Sequence, residues 1–374
     1  MARPACATAS PGPGPDSLFE TLWAGRIHPG RLARFAETTC HDRRASPQPE
    51  PTPVKVTAPR SAPAGASRLS LDVLFRKFTG AIALLVTLSL AGILIALTRE
   101  SWPALHRFGW HFLISTAWDP VSDDYGALVF IVGTVVSSVI ALLLAIPVSF
   151  GIALFISEMA PRWLREPVSA AVELLAAIPS IIYGMWGLLV FAPWFGNLEP
   201  WINDHLGAIP WIGALFQGPP MGIGMLAAGI VLGVMIIPFI AAIMRDVFLV
   251  TPQALKESAY AMGATTWEVA RYVILPYTRT AVTGGIFLGL GRALGETMAV
   301  TFIIGNANNL SASLLMPGSS IASVIANEFT EATTHLYKSA LLALGLILFV
   351  ITFAVLVLAK LLLLRLDRME GRRA

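Results

Sequence analysis

The sequence has little charge and almost no cysteine. Charged residues make up 13% of the 374-residue chain, about half of the roughly 25% that is usual in soluble domains. The mean hydropathy is +0.70, which together with the low charge predicts an integral membrane protein. The only two cysteines, Cys6 and Cys40, have none of the spacings of zinc or redox sites. We therefore expect free thiols and no metal centre.

Two further absences narrow the functional class. No phosphate loop of the form G-x-x-x-x-G-K-[ST] occurs in the chain, so we do not expect it to bind ATP itself. Its apolar stretches contain no paired His and Asp, which argues against an intramembrane enzyme. The net charge of +3 does not indicate nucleic-acid binding, because the basic residues flank apolar stretches, where they set orientation in the bilayer.

The N-terminal segment has a composition typical of disorder. Its first 67 residues hold 11 of the 26 prolines and show neither helical nor strand periodicity. They also lack the basic, apolar and small-residue regions of a secretory signal. We predict a disordered cytoplasmic tail over residues 1–70. A natural start close to Leu69 would equally explain the composition, and peptide mapping would distinguish the two.

Six apolar segments are long enough to cross a membrane, which takes about 20 residues. We predict an all-α transmembrane domain over residues 71–365, followed by a basic cytoplasmic tail over 366–374. Pro147, Pro179 and Pro238 interrupt three of the spans, which a helix bundle tolerates. The spans are predicted at about 78–98, 127–156, 168–195, 222–244, 283–305 and 337–363.

Lys and Arg accumulate in alternate connections between the spans. Such residues favour the cytoplasmic side in short loops, so both termini and the loop 251–276 are predicted to be cytoplasmic. The basic residues of the cytoplasmic set include Arg68, Arg76, Lys77, Arg162, Arg165, Arg245, Lys256, Arg271, Arg279, Arg365 and Arg368.

The loop 251–276 has the start and stop signals of two short helices. Thr251 is a candidate cap with Pro252 at the first helical position, and Gly263 is a candidate left-handed terminator. Thr265 and Glu268 form a capping-box pattern for a second helix, which we expect to end before Pro276. The predicted hairpin presents an apolar surface that a protein groove could bury, formed by Ala259, Met262, Trp267, Val269 and Val273.

This loop resembles the coupling loop of ABC importer permeases, whose pattern is EAA, three residues, Gly, nine residues, then I-x-L-P. The matching positions are Glu257, Ala259, Gly263, Leu275 and Pro276, whereas Ser258 and Val273 depart from the pattern. The resemblance implies a type I permease core, in which these residues couple the chain to a separate ATPase subunit. An ordinary amphipathic loop is the alternative.

Two charges lie inside the predicted fifth span. If the span is one helix, Arg292 and Glu296 share a stripe with Gly285 and Gly289, beside Gly291 and Gly295. Charges at such a depth cost a few kcal/mol and usually face a protein interior or a cavity. The pair could be a self-neutralising ion pair or a substrate site. The bare glycine face could serve close helix packing or leave room for a ligand.

The segments GLGRALGETMAV and LLMPGSSIASVIANEFTEA resemble the PstC-type permease of the bacterial high-affinity phosphate importer, the Pst system. The likeness runs from about Leu71 to Arg365. It implies that Arg292 and Glu296 take part in phosphate translocation across the inner membrane. It also implies a PstA-type second permease half, two PstB-type ATPases that bind ATP and Mg²⁺, and a PstS-type external phosphate-binding protein. No cofactor is then expected in this chain.

The two charges suggest a selectivity hypothesis. Arg292 presents a planar fork of donors that suits a tetrahedral oxyanion, and Glu296 could accept a hydrogen bond from an oxyanion that carries a proton. Sulfate, which carries none near neutral pH, would be repelled. Glu296 could instead only orient Arg292. The alternative functions are a permease for sulfate or molybdate, and an ion-coupled secondary transporter.

Other polar residues are assigned structural roles. Glu173 is expected to stabilise the start of the third span, because negative charge is favourable at a helix N-terminus. Glu328, Glu331 and His335 are expected to be solvated polar groups of an external loop, with contact to the external binding protein as the alternative.

Overall fold

The computed structural model describes residues 66–210 and 213–370, which are mostly helical. The helix that contains the first span begins at Ala66, so the predicted tail over 1–70 is wrong in its last residues, and its remainder lies outside the described residues. Residues 366–370, predicted as a tail, continue the last helix. The described residues from Leu74 onward form one compact unit.

Thirteen α-helices are found in the described part of the chain, together with a short 3-10 helix at Gly213–Phe216 and one two-stranded hairpin. The helices are α1 Ala66–Phe108, α2 His111–Ile114, α3 Leu128–Leu154, α4 Arg162–Ala177, α5 Ser180–Trp186, α6 Ala192–Leu206, α7 Met225–Leu249, α8 Gln253–Ala261, α9 Thr266–Val269, α10 Leu275–Leu294, α11 Met298–Thr301, α12 Ile321–Glu328 and α13 His335–Glu370. π-Helical turns follow α3, α5 and α9, at Phe155–Met159, Gly187–Phe191 and Ala270–Ile274. The antiparallel strands are β1 Trp118–Asp119 and β2 Asp124–Tyr125.

The prediction of six spans in an all-α fold is confirmed. Six helical segments are long and apolar enough to cross a membrane, at Asp72–Phe108, Leu128–Met159, Ser180–Leu206, Met225–Leu249, Thr266–Leu294 and His335–Arg365. Pro147 and Pro238 lie inside continuous helices. The third and fifth spans, however, have bounds that differ from the predicted ones.

The third predicted span, 168–195, is wrong because the chain leaves the helix at Ile178. Ile178 and Pro179 are extended, with ψ of 131° and 137°, since a residue before proline avoids the helical region. The apolar end of α4 therefore does not continue into α5, and the span is formed by α5, the π turn and α6. Glu173 lies in the last half of α4, so its predicted role at a helix N-terminus is also wrong.

Helix α7 lies at the centre of the largest hydrophobic cluster. It approaches α3 closely because glycines face that helix: a methyl group on Gly229 would lie 2.6 Å from Ile140 Cγ2, and one on Gly233 would lie 3.1 Å from the Ala141 oxygen. Ser149 Oγ of α3 also donates a hydrogen bond of 2.9 Å to the Ile237 oxygen of α7. The two helices are thus held together along their length.

The long connection between α11 and α13 packs against the ends of the spans. It supplies carbonyl groups to the start of α7, where Leu226 N donates to Leu314 O at 2.8 Å and removes an otherwise unpaired helix donor. Glu328 Oε2 accepts hydrogen bonds from Trp118 Nε1 at 2.8 Å and from the Tyr337 hydroxyl at 2.6 Å. The prediction that Glu328 is a solvated loop residue is therefore wrong, whereas His335 is exposed.

Gly133 permits α3 to approach this connection. A methyl group at Gly133 would overlap the backbone oxygen of Ser319, which cannot rotate away as a side chain could. We expect Gly133→Ala to destabilise the protein by roughly 1 to 3 kcal/mol, as overpacking of a filled core does. The measurement is the thermal loss of the monodisperse chromatographic peak in detergent.

Gly151→Ala is the matched control for this prediction. Gly151 lies in the same helix, but nothing lies within 4 Å of the position that its methyl group would take. Alanine also has the better helix propensity, by about 0.5 to 1 kcal/mol. Equal melting of the two variants would contradict the importance of the Gly133 contact.

Candidate functional site

Arg292 lies in the last turn of α10 and is exposed. Its guanidinium carbon is 5.3 Å from the centre of the Phe239 ring on α7, a distance at which a cation is attracted to the face of an aromatic ring. Among the described residues, no carboxylate lies within 4.0 Å of Arg292. The guanidinium donors are therefore not occupied by an acidic side chain.

Glu296 lies outside the helix that carries Arg292, so the predicted common stripe is wrong. Helix α10 ends at Leu294, and Gly295 is its cap, with φ of −91° and its N–H directed towards the oxygens of Gly291 and Ala293. The predicted fifth span, 283–305, therefore ends eleven residues early, and α11 is a separate short helix. Glu296 is half-buried, and its Oε1 accepts a hydrogen bond of 3.4 Å from Ala299 N of α11.

The predicted alternative of a self-neutralising pair is wrong for this conformation. Three ion pairs are found in the described part of the chain, and none includes Arg292 or Glu296. The second carboxylate oxygen, Glu296 Oε2, makes no hydrogen bond there either. The two side chains lie on either side of a helix end, where each retains free hydrogen-bonding capacity.

The glycine face of α10 is divided between packing and open space. A methyl group on Gly285 would lie 2.8 Å from Ile243 Cγ2, and one on Gly289 would lie 2.6 Å from Ile240 Cδ1. These two glycines therefore allow close approach to α7, which decides between the two predicted uses at these positions. A methyl group on Gly291 or Gly295 would lie no closer than 3.8 Å to any atom of another helix. The helix face is therefore open beside the charged residues.

The segments that follow the two helix breaks, α5 and α11, pack against each other. A methyl group on Gly184 of α5 would lie 2.9 Å from the Phe302 ring and 3.1 Å from Ala299 Cα, so α5 and α11 are in close contact. The Tyr183 hydroxyl of α5 donates a hydrogen bond of 2.9 Å to the Leu175 oxygen of α4. This hydrogen bond spans the break at Ile178 and Pro179. Pro179 is a local signal for this break, but no sequence pattern indicated that α5 would pack against α11.

The predicted hairpin over 251–276 is present. Gly263 has φ of +87°, a left-handed conformation that favours glycine, and it separates α8 from α9. The capping box of α9 is confirmed, with Thr265 N donating to Glu268 Oε2 at 2.8 Å and Glu268 N donating to Thr265 Oγ1 at 3.4 Å. Thr251, however, does not cap α8: that helix begins at Gln253 with Pro252 as its cap, and Thr251 is buried.

Only part of the predicted apolar surface of the hairpin is exposed. Met262 and Trp267 are 83% and 55% exposed. Ala259 and Val269 are buried in the largest hydrophobic cluster, and Val273 is half-buried. The predicted surface did not include Tyr260 and Tyr272, which are exposed aromatic residues of the same hairpin. Glu257 is exposed on the first helix.

The second hairpin helix does not end before Pro276. The π turn Ala270–Ile274 joins α9 to α10, and Leu275 and Pro276 begin α10. Proline lacks an N–H and cannot make the usual helical hydrogen bond. The π turn lies directly before it, and the helix continues through both. The hairpin is therefore connected to Arg292 by one helical segment, Thr266–Leu294.

A buried ion pair that the sequence did not indicate anchors the first hairpin helix. Lys256 Nζ lies 2.6 Å from Glu158 Oε1, with side chains only 6% and 8% exposed. The sequence signal was an acidic residue at the apolar end of the second span, but its partner is 98 positions away. No group of three or more metal-ligating side chains is found in the described residues.

Six spans, a helical hairpin continuous with the fifth of them and an exposed arginine at a helix break are the features of an integral membrane permease subunit of an ABC importer, rather than of an enzyme. Residues 145–368 match the family described as binding-protein-dependent transport system inner membrane component. The relatives below place the chain more closely within this family.

The phosphate transport system permease protein PstC of Xylella fastidiosa (strain 9a5c) is 60% identical over 77% of this chain and 91% of its own length. The protein of the same name from Pasteurella multocida (strain Pm70) is 54% identical over 84% of this chain and 99% of its own length. Among solved structures, a bacterial ABC transporter involved in the import of alginate aligns with a TM-score of 0.48 and 17% identity, over 80% of this chain and 99% of that chain. The chain belongs to the binding-protein-dependent inner membrane component family, and within it to the PstC-type permeases.

Proposed function

We propose that this chain is one of two membrane-spanning halves of an ATP-driven importer of inorganic phosphate, with Arg292 as the residue that binds the anion. The observation that carries the proposal is the free guanidinium of Arg292, exposed at the end of a spanning helix. Arg292 lies within the membrane-spanning segment Thr266–Leu294, where a charge usually faces protein or a water-filled cavity. The names of the relatives support phosphate as the transported anion.

The chemistry of Arg292 suits a tetrahedral oxyanion. A guanidinium presents parallel N–H donors that bind two oxygens of a phosphate at once. Stacking over Phe239 restricts the side chain without using its in-plane donors. Glu296 Oε2, which has no hydrogen-bond partner in the described part of the chain, is available on the other side of the helix end. We propose that it accepts a hydrogen bond from a protonated oxygen of phosphate.

The exposure of Arg292 in a single chain also supports a second permease half. We propose that a PstA-type subunit covers this face, so that the translocation path runs between the two halves. Met262 and Trp267 of the hairpin would lie in a groove on one of two PstB-type ATPases, which bind ATP and Mg²⁺. A PstS-type protein would deliver phosphate from outside, and this chain itself would bind no cofactor.

We propose that the hairpin faces the cytoplasm of a bacterial cell and that the spans cross its inner membrane. The basic residues of the alternate loops favour this orientation. Six spans then place both ends of the domain on the cytoplasmic side, together with the hairpin.

Uptake in sealed vesicles tests this function. Vesicles that carry the whole complex, with ATP on the hairpin side and the binding protein on the other, should accumulate radiolabelled phosphate but not sulfate. Uptake should continue when ionophores remove ion gradients, and the permease alone should transport nothing. Preference for sulfate or molybdate, or loss of uptake with the ion gradient, would contradict the proposal.

A further inference from the structure

The pair of Lys256 and Glu158 is the most deeply buried ion pair in the described part of the chain. The other two pairs join Arg245 to Glu173 and Asp246, whose carboxylate side chains are 58% and 65% exposed. Exposed pairs contribute little to stability. In a buried pair, loss of one partner leaves the other charge without compensation, which is strongly unfavourable.

The pair joins the hairpin to the ends of two spans. Lys256 lies on α8, the first hairpin helix, and Glu158 lies in the π turn that ends the second span. The same ammonium group lies 3.4 Å from the backbone oxygen of Phe248, near the end of α7. A single side chain thus contacts the hairpin, the second span and the fourth span.

We infer that Lys256 is a positioning residue that makes α8 and the ends of α3 and α7 move as one body during transport. The inference rests on the proposed function. Because separating the buried pair would strand both charges, the pair stays closed when the ATPase moves the hairpin. The movement is then transmitted directly to the second and fourth spans. It is also transmitted to the fifth span through the helical segment Thr266–Leu294.

The packing beyond the pair extends this movement to the anion site. Helices α3 and α7 are held together by the close approach at Gly229 and Gly233 and by the hydrogen bond from Ser149. Phe239, which lies under the guanidinium of Arg292, belongs to α7. When α7 is displaced at the end that contacts Lys256, the Phe239 ring beside Arg292 is therefore displaced as well.

The test measures phosphate taken up per ATP hydrolysed, in vesicles that carry the whole complex and the binding protein. Glu158→Gln should lower this ratio about tenfold or more, because the buried lysine loses its counter-charge. Glu173→Gln is the matched control: the same substitution in an exposed pair should leave the ratio within about twofold of wild type. Equal loss of uptake and hydrolysis in Glu158→Gln, with the ratio unchanged, would mean a merely structural role and would overturn the inference.

A crosslinked variant tests the role of Lys256 even if Glu158→Gln does not assemble. Lys256→Cys with Glu158→Cys removes both charges, in a chain whose Cys6 and Cys40 are replaced by serine. Without reagent its ratio should be low, and a short bifunctional thiol reagent should restore the ratio. A full ratio before crosslinking, or uptake blocked by the crosslink, would overturn the inference. A wild-type complex that takes up no phosphate would instead contradict the proposed function.

Discussion

Replacing Arg292 by leucine should abolish phosphate uptake while the complex still assembles. Two charge-assisted hydrogen bonds to the anion are each worth about 1.5 to 3 kcal/mol, so their loss should lower uptake about 100-fold or more. Assembly should persist because no carboxylate among the described residues depends on Arg292 for its counter-charge. Leucine also packs well against the Phe239 ring.

Two variants bracket this result. Arg292→Lys keeps the charge but loses the planar fork and the ring stacking, so it should retain only part of the uptake. Arg107→Leu is the matched control, because Arg107 also lies over an aromatic ring, that of Phe108, at 5.5 Å, but far along the chain from the site. Normal uptake by Arg292→Leu in an intact complex would exclude the arginine as the anion-binding group.

The number of spans could be predicted from the sequence because each span contains an apolar stretch of sufficient length. The ends of the third and fifth spans were misplaced for a common reason. Hydropathy does not change where the chain leaves the helix, since both Ile178 and Gly295 lie within apolar stretches. The sequence does contain conformational signals at both breaks, namely a proline after Ile178 and several glycines before Glu296. Such signals do not determine whether a helix ends, because Pro147 and Pro238 remain inside helices.

Local signals in the hairpin were predictive where one residue decides the conformation. Gly263 and the capping box of Thr265 and Glu268 depend on neighbours within three positions, and both are confirmed. The burial of Ala259 and Val269 and the pairing of Lys256 with Glu158 depend on tertiary packing instead. A sequence pattern can identify the hairpin, but it cannot say which side of the hairpin the bundle covers.

The site residues show the same division. Arg292 and Glu296 were found because charge is rare in apolar spans. Their relation was misjudged, since a spacing of four places side chains together only if the helix continues between them. With the helix ending at Leu294, Glu296 holds the start of α11 and is available to a ligand as a separate group.

Replacing Glu296 by glutamine should relax the preference for phosphate over sulfate about tenfold. In wild type, a carboxylate facing sulfate has no proton to accept and remains unpaired, a penalty of roughly 1 to 3 kcal/mol. The amide of glutamine can donate to a sulfate oxygen. Its own oxygen can still accept from Ala299 N, as Glu296 Oε1 does at 3.4 Å, so the start of α11 should be preserved.

Glu296→Ala separates the two roles of this side chain, because it removes both the contact to Ala299 and the group that faces the ligand. We expect slower uptake of both anions in this variant, measured by competition between radiolabelled phosphate and sulfate in the same vesicles. If Glu296→Gln kept the wild-type preference and only lowered the rate, the carboxylate would serve to position the helix end. In that case selection between the anions would have to come from another group on the path, since Arg292 presents the same donors to either tetrahedral oxyanion.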